Sequence, residues 1–376
     1  MHYDHIVIGT GSMGAATCYY LAKRGRSVLG LDRFTPPHSK GSHGGQSRII
    51  RKAYFEHPDY VPLLERAYLN WRSLEEECGQ QLYFETGMYY AGPKGNRILQ
   101  GVRTAAAEHG IPLEVLHHNP AGIFRLPADY EMLFEPEAGF LLCEDAISMY
   151  RKLALEAGVQ FRDESPVRDW RTSGGGVEVV TDEGIFTADR LVITAGARAG
   201  QLLPEIAGKL KVTKQLMAWF RTDGSERYRT GHFPCWLIAD TKSTGAYYGF
   251  PAEDGAADEI KVALHLPGEV VDPDREDRTL SDLEVTKLRQ FVAAHLPDID
   301  PEPVRMEICL YENSPDEHFV IDRLKGSEDK VCYAWGFSGH GFKFASATGE
   351  ILADLSMRGR TDLPVGFLEA GRFSRK

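Results

Sequence analysis

Cysteine is scarce in this sequence, and the few cysteines are widely separated. No CxxC pair occurs, and no group of cysteines and histidines has the spacing of zinc ligands, so we predict no metal site. Isolated thiols are typical of a protein that stays reduced in the cytoplasm. The cysteines are Cys18, Cys78, Cys143, Cys235, Cys309 and Cys332.

Long apolar runs and a surplus of basic residues are also absent. No run of about 18 apolar residues occurs, and no charged leader precedes an apolar segment, so we predict neither a membrane span nor a signal peptide. The 54 Asp and Glu residues outnumber the 43 Lys and Arg residues, which gives a net charge of −11. A chain this acidic is a poor candidate for binding nucleic acid. We therefore expect a cytoplasmic protein whose partners are small molecules.

The chain has 376 residues, of which 43% are hydrophobic, and this is enough for two globular domains. Strands and helices alternate at its start, middle and end, and strand-rich segments lie between. This order predicts an α/β (α+β two-domain) protein. A doubly wound, Rossmann-like domain is predicted for residues 1–80, 145–210 and 315–376. A second, antiparallel β-rich domain is predicted for residues 81–144 and 211–314.

Hydrophobic periodicity and capping residues predict the local elements. Asp59 is expected to cap one helix, and Ser281 with Glu284 forms a capping box for another. Strands are predicted at 5–8, 27–31, 159–162, 177–180, 185–187, 191–194, 212–221, 245–250, 260–265 and 331–335. Helices are predicted at 15–23, after Asp59, at 97–108, 146–157 and 281–296, and from the last glycines to about Met357.

The first glycine-rich turn has the spacing of a dinucleotide-binding motif. Gly9, Gly11 and Gly14 follow an apolar strand and open a helix, and Asp32 ends the next strand. Such glycines let the backbone approach a pyrophosphate at a helix N-terminus, and an acidic residue roughly 20 positions later meets a ribose hydroxyl. NAD and FAD satisfy this unit equally well.

Two further segments combine glycines with cations. Residues 41–51 include Arg48 and Arg51, a composition that suits a loop packed against a flat ring and facing anionic groups, or an ordinary solvated loop. Residues 336–343 place three glycines before a helix N-terminus, which would stabilise negative charge on a reduced flavin. Taken alone, Lys343 is expected to face solvent like most helix lysines.

Several short motifs, in order along essentially the whole chain, resemble one family of flavoproteins. They are Pro36–His38, Gly41–His43 with Arg48–Arg51, Tyr60–Pro62, Tyr247–Pro251, Cys309 with Ser314–Phe319 and Ile321–Asp322, and Gly336–Phe344. The chain resembles the monomeric sarcosine oxidases and N-methyltryptophan oxidases, within the D-amino-acid-oxidase-like FAD oxidoreductases. It departs from their usual pattern at Gly44, where the family has a second histidine after Gly-Ser.

The resemblance implies that the Rossmann-like domain binds FAD and the β-rich domain binds substrate. It also implies a covalent thioether between the flavin 8α-carbon and Cys309, where the residue alone would be interpreted as a buried core thiol. Arg48 matches a basic residue beside the flavin ring. The implied cofactor-binding residues are Gly9, Gly11, Ser12, Met13, Gly14, Asp32, Arg33, Ser42, His43, Arg48, Val167, Gly196, Cys309, Gly339, Gly341, Phe342 and Lys343.

The resemblance further implies residues for substrate and oxygen. Arg51 and Lys343 would hold the substrate carboxylate, and Lys261 would activate O2 by stabilising negative charge on it. Residues matching the lining of the substrate cavity are Tyr248, His265 and Tyr311.

The implied activity is oxidation of a secondary amine, sarcosine or another N-methyl amino acid, by a monomeric FAD enzyme. O2 is the acceptor, and the products are H2O2 and an imine that hydrolyses to aldehyde and amine. Three alternatives remain open on the sequence. They are an NAD(P)-dependent dehydrogenase, a non-enzymatic dinucleotide-binding regulator, and a flavin oxidase of cyclic imino acids or glycated amino acids. Pocket shape, which decides among amino acid substrates, is not readable from the sequence.

Overall fold

The computed structural model describes residues 2–117, 119, 122–239, 241, 245–253, 258–266, 268–275 and 278–374. The helices are α1 (Ser12–Lys23), α2 (Val61–Cys78), α3 (Arg97–His109), α4 (Cys143–Glu156), α5 (Ala199–Leu202), α6 (Asp282–His295) and α7 (Ala345–Arg358). The strands are β1 (His2–Ile8), β2 (Val28–Leu31), β3 (Ser47–Ile50), β4 (Tyr83–Phe84), β5 (Met88–Pro93), β6 (Glu114–Leu116), β7 (Tyr130–Glu135), β8 (Gly139–Leu142), β9 (Gln160–Arg162), β10 (Val167–Ser173), β11 (Gly176–Thr181), β12 (Gly184–Ile193), β13 (Lys211–Arg221), β14 (Cys235–Ala239), β15 (Ala246–Gly249), β16 (Glu259–His265), β17 (Pro303–Asn313), β18 (Val320–Arg323) and β19 (Val331–Trp335).

The first sheet contains the parallel β-α-β core expected from the sequence. Six of its eight strands run in the order β10-β11-β12-β1-β2-β9; β19 also pairs with β12, and β18 pairs with β19. Strands β9, β2, β1, β12 and β19 are mutually parallel, so their carboxyl ends meet at one edge. Helix α1 packs on α4 and α7, and Gly349 allows the close approach, because a Cβ there would lie 2.5 Å from the Cβ of Ala16. Ligands of such sheets bind at this carboxyl edge.

The second sheet has the order β17-β13-β16-β15-β14-β5-β7-β6. Its neighbours are antiparallel as expected, except that β5 and β14 pair in parallel. These two strands are far apart in the chain, so no hairpin dictates their direction. Strands β3, β8 and β4 form a small third sheet. The division into two domains at the boundaries expected from the sequence stays a prediction.

The sequence-based expectation for Asp59 is wrong. The side chain of His57 accepts a hydrogen bond from the Asp59 backbone N–H at 3.2 Å and starts a 3-10 turn, Pro58–Tyr60, after which α2 begins at Val61. The cause lies in Pro58, since a residue before proline favours the extended backbone that a capping position needs. The capping box of α6 is confirmed, because the Ser281 hydroxyl accepts from the Glu284 N–H at 3.2 Å.

Two other expectations differ from the structure. The separate strands predicted at 185–187 and 191–194 are one strand, β12, because Ala188 pairs with Val177 of β11 on one side and Tyr3 of β1 on the other. Strand β17, which carries Cys309, was not predicted. Within the described ranges, no helix combines the length and apolar character needed to cross a bilayer, and no group of three or more His, Cys, Asp or Glu residues could hold a metal ion.

Candidate active site

A cavity of about 360 Å³ opens where the carboxyl ends of the parallel strands face the second sheet. Its volume is within the usual range for a small-molecule site. The structure brings most of the sequence-predicted residues to its wall. They are Gly9, Gly11, Ser12, Met13, Asp32, Arg33, Ser42, His43, Arg48, Arg51, Val167, Gly196, Tyr248, His265, Tyr311, Gly339, Gly341, Phe342 and Lys343. Gly14, Lys261 and Cys309 do not line it.

The turn between β1 and α1 is shaped by its glycines. Gly9 has a φ of +85°, and a Cβ there would lie 2.5 Å from the carbonyl oxygen of Thr194. A Cβ on Gly14 would lie 1.8 Å from the Gly9 carbonyl oxygen, so Gly14 serves the packing of α1 and does not form part of the cavity wall. No side chain of the described residues caps α1, which leaves its first amides available to an anion in the cavity.

Asp32 stands at the end of β2 with only 8% of its surface exposed. It accepts hydrogen bonds from the backbone N–H groups of Thr10 at 2.6 Å and Phe34 at 3.0 Å. Burial alone would raise the pKa of Asp32. Hydrogen bonds from His38, Phe34 and Thr10 nevertheless hold this pKa below its usual value. The carboxylate is therefore charged, fixed and facing the cavity, as a ribose-binding residue requires.

The second glycine-rich turn, at residues 336–343, packs against α2. The Trp71 indole N–H donates to the Lys343 carbonyl oxygen at 2.9 Å, and the Trp71 ring stacks on Phe342 at 5.9 Å. Gly339 has a φ of +79°, and a Cβ there would lie 2.1 Å from the Tyr311 ring, so the turn packs directly on β17. A 3-10 turn, Phe342–Phe344, then leads into α7 without a side-chain cap among the described residues.

Two buried cations, Arg51 and Lys343, lie on the wall of the same cavity. The Arg51 guanidinium donates to both carboxylate oxygens of Glu56, at 2.7 and 2.8 Å. Burial opposes ionisation of Glu56, but Arg51, His340 and Lys343 hold its pKa at about 2. The Lys343 ammonium donates to the His340 carbonyl oxygen at 2.9 Å, and burial together with Arg51 lowers its pKa to about 7.

Arg48 and His43 fix the loop before β3. Arg48 donates to the carbonyl oxygens of Ser42 at 3.1 Å and Gly44 at 2.6 Å, so the cation closes this loop on itself. The His43 ring accepts from the His38 backbone N–H at 3.1 Å, and burial lowers its pKa to about 3. His43 is therefore neutral at pH 7.

Three side chains from the second sheet form the opposite wall. The His265 ring and the Tyr311 hydroxyl lie 3.2 Å apart, and Tyr248 packs beside Tyr311. Burial lowers the pKa of His265 to about 4 and raises the pKa of Tyr248 to about 12. All three are neutral at pH 7, so this wall offers hydrogen bonds and apolar surface without charge.

Lys261 and Cys309 do not line the cavity, but Lys261 contacts Ser47, next to the lining Arg48, and Cys309 directly precedes the lining Leu310. The Lys261 ammonium donates to the carbonyl oxygens of Gly45 at 2.7 Å and Ser47 at 2.6 Å, and lies 3.9 Å from the centre of the Phe250 ring. Burial and the nearby Arg48 lower the pKa of Lys261 to about 7. Cys309 is 2% exposed, and burial raises the pKa of its thiol.

Comparison with known proteins decides the family. The family model "DAO: FAD dependent oxidoreductase" matches residues 4–355. The chain belongs to this family. It is 36% identical to a monomeric sarcosine oxidase of Bacillus sp. (strain NS-129), over 100% of this chain and 98% of that protein. It is 34% identical to an N-methyl-L-tryptophan oxidase of Yersinia pestis (strain Pestoides F), over 99% of this chain and 100% of that protein.

Solved structures agree with this family and its fold. NikD, an unusual amino acid oxidase essential for nikkomycin biosynthesis, superposes with a TM-score of 0.85 at 26% identity, over 98% of this chain and 97% of that one. A fructosamine oxidase from Aspergillus fumigatus superposes with a TM-score of 0.80 at 21% identity, over 98% of this chain and 89% of that one, a likeness of fold alone.

The cavity fits the FAD of this family. The glycine turn at Gly9 leaves space and free amides for a pyrophosphate, and Asp32 offers a fixed carboxylate to a ribose. Gly196 has a φ of +54°. Apart from its chain neighbours, no atom lies within 4 Å of the position that a Cβ would take, so the cavity is open beside Gly196. At the other end of the cavity, the uncapped turn Phe342–Phe344 before α7 offers backbone N–H donors.

Sequence reasoning missed two carboxylates on the cavity wall, Glu56 and Glu312. Glu56 follows Arg51 by five positions, and that short spacing in a cation-rich loop was the available signal. Glu312 follows Tyr311 directly on β17 and carried no signal, because the strand itself was not recognised. Glu312 is buried and Glu56 is partly buried, at positions where the sequence pattern alone would suggest exposed acidic residues.

Proposed function

We propose that this enzyme oxidises the C–N bond of a small secondary amino acid, sarcosine or another N-methyl amino acid, with FAD as cofactor and O2 as acceptor. One observation carries the proposal: two buried cations, Arg51 and Lys343, line the same cavity as the glycine turn after β1 and Asp32, which we call the dinucleotide cradle. The uncharged side chains Tyr248, His265 and Tyr311 form another wall of this cavity. The names of the relatives, sarcosine oxidase and N-methyl-L-tryptophan oxidase, support the substrate class. The products are H2O2 and an imine, which water hydrolyses to an aldehyde and an amine.

Bound FAD supplies the chemistry of this reaction, accepting hydride equivalents from the substrate and passing electrons to O2. The chain's own residues orient the reactants. Arg51 and Lys343 fix the substrate carboxylate, which restricts the amino acid to one orientation in the cavity. Neutral His265 and Tyr311 offer hydrogen bonds without repelling or protonating the amine. Lys261, which is charged below pH 7, places a positive charge near the cavity, where it stabilises negative charge that develops on oxygen.

The nicotinamide alternative loses its support, since the family is FAD dependent. Oxidases of cyclic imino acids and of glycated amino acids share the fold, and substrate tests separate them from the proposal. The panel should contain sarcosine, larger N-methyl amino acids, L-proline, a fructosyl amino acid, and N-methyl amines without a carboxylate.

We expect H2O2 with stoichiometric formaldehyde from at least one N-methyl amino acid, and at least tenfold lower kcat/KM for its decarboxylated analogue. Peroxide release and formaldehyde are measured in parallel, with boiled enzyme as the control. Turnover of only the cyclic or glycated substrates, or equal turnover of amines without an acid group, would refute the proposal.

We further infer a covalent bond between FAD and the Cys309 sulfur. The thiol is buried in a cluster with Met217, Trp219, Ala263 and Tyr311, and the next two residues along β17 line the cavity. Arg48 and Lys261 act against the burial that raises the thiol pKa, which favours the thiolate needed for attachment.

After acid precipitation, the yellow colour should stay with the wild-type pellet and move to the supernatant in Cys309→Ala. Cys235→Ala is the matched control, since Cys235 is also fully buried in the second sheet. Absorption at flavin wavelengths in both fractions measures the outcome. Free FAD released from folded wild-type protein would show that the bond does not form.

We also infer that the enzyme is a cytoplasmic monomer. The cysteines of the described chain are all free thiols, which suits a reducing compartment. The relatives named monomeric sarcosine oxidase support a single-chain enzyme.

A further inference from the structure

Glu312 is a buried carboxyl group on the wall of the cavity for which the proposed reaction has no use. It lies near the end of β17 with 6% of its surface exposed. The backbone N–H groups of Gly336 and Phe337 donate to the carboxyl group. Its Oε2 atom is buried and has no hydrogen-bond partner among the described residues. An unpartnered polar atom is costly in a protein interior. Because Glu312 itself lines the cavity, a molecule bound there is expected to contact its carboxyl group.

The surroundings of Glu312 carry no compensating charge. Val212 of β13 lies opposite in register, and Ser338 donates its backbone N–H to the Glu312 carbonyl oxygen at 2.9 Å. Lys211 of β13 is exposed, and Arg198 is bound to Asp274 at 2.9 Å. None of the described salt bridges includes Glu312.

The protonation state of Glu312 follows from this environment. Burial raises its pKa to about 8, against the effect of the two amide donors. The group is therefore a neutral carboxylic acid at pH 7. A neutral carboxylic acid can donate one hydrogen bond as well as accept others.

We propose that Glu312 is a cofactor-binding residue whose neutral carboxyl group donates a hydrogen bond to an acceptor oxygen or nitrogen of bound FAD. Its neighbours place it between the two ends of the cavity. Leu310 packs with Ala197 beside the dinucleotide cradle, and Tyr311 contacts His265 on the substrate side. This inference rests on the FAD dependence of the family and not on the amine substrate, so failure of the substrate panel leaves it standing.

The rate of FAD release tests the proposal without an activity assay. Loaded protein with Cys309→Ala as background is diluted, and the rise in flavin fluorescence is followed between pH 6 and pH 10. If acid precipitation shows that the flavin is not covalent, the wild type serves as background. Two variants are compared. Glu312→Gln keeps an acceptor for the amides and a neutral donor for FAD, and Glu312→Leu removes both.

We expect Glu312→Leu to release FAD about tenfold faster at pH 7, the change that one lost hydrogen bond produces. The parent should release FAD faster as pH rises past about 8, since the ionised carboxylate no longer donates. Glu312→Gln should match the parent at pH 7 and lose that acceleration. A parent-like pH profile in Glu312→Gln overturns the proposal, even if Glu312→Leu does not fold, because a purely structural carboxyl would not couple FAD release to pH.

Discussion

Replacing Lys261 by methionine should slow reoxidation of the reduced enzyme by O2 by at least two orders of magnitude while leaving reduction by substrate nearly unchanged. The expected size follows from removing one preorganised charge near the reacting oxygen, worth roughly 3–4 kcal/mol. Methionine is close to lysine in length and apolar, so the packing against Phe250 should survive.

The contacts of Lys261 explain why its charge is available. Its ammonium group is held by the carbonyl oxygens of Gly45 and Ser47 and by the Ser47 hydroxyl, at 2.6–2.7 Å, and by no carboxylate among the described salt bridges. With its pKa lowered to about 7 by burial and Arg48, the group is charged below pH 7 and becomes neutral above it. Reoxidation should therefore slow as pH rises through 7, and this slope should disappear in Lys261→Met.

Stopped-flow measurement of the two half-reactions, flavin reduction by substrate and reoxidation by O2, checks the effect of Lys261→Met. The enzyme is reduced anaerobically by substrate in one experiment and mixed with oxygenated buffer in the other. Lys214→Met is the matched control, because Lys214 is buried at 4% exposure in the adjacent strand β13 but lies off the cavity wall. Equal slowing of both half-reactions in Lys261→Met would assign the lysine to substrate binding or structure.

The parts of the site that the sequence predicted are those with local signals. The strand, the turn Gly9–Gly14 and Asp32 lie within a single β-α-β unit, where spacing alone dictates geometry. The same holds for the capping box at Ser281, whose partner is three residues away. These elements were predictable because their partners are near in the chain.

The missed parts depend on contacts between distant segments. Strand β17 alternates partly buried and exposed residues in its first half, but is buried throughout from Ile308 onward, where β13 and the cavity cover both faces. That change hides the strand from a periodicity argument. The pairing of Arg51 with Glu56 is likewise decided by the burial of Arg51 and the partial burial of Glu56, and not by a motif.

Loss of either cation on the cavity wall should weaken the binding of acetate-type inhibitors strongly. A buried, hydrogen-bonded charge pair loses about 2–5 kcal/mol when one member is removed, or roughly 30-fold to several thousand-fold in the dissociation constant. We expect losses of this size in Arg51→Ala and Lys343→Ala. The two losses should not add in the double variant, because both cations act on one anion.

One further variant is expected to strengthen inhibitor binding. Glu56 already occupies Arg51 through two bonds of 2.7 and 2.8 Å, so a ligand carboxylate must displace it or share the guanidinium. Glu56→Gln keeps the shape and removes the competing charge, and it should therefore tighten inhibitor binding. Inhibitor titration of the flavin absorption spectrum measures all these variants on one scale.

The pH dependence separates the two cations. Burial and Arg51 lower the pKa of Lys343 to about 7, so its ammonium is charged below that pH and is progressively lost above it. Inhibitor affinity should fall as pH rises through 7 in the wild type. The fall should move to higher pH in Arg51→Ala, which lacks the cation that helps to lower the Lys343 pKa, and it should be absent in Lys343→Ala. FAD content should survive in Arg51→Ala, since Arg51 serves the substrate. If both alanine variants bound acetate and turned over substrate like the wild type, the two cations would not hold the carboxylate, and amines without an acid group would become the substrate class to test.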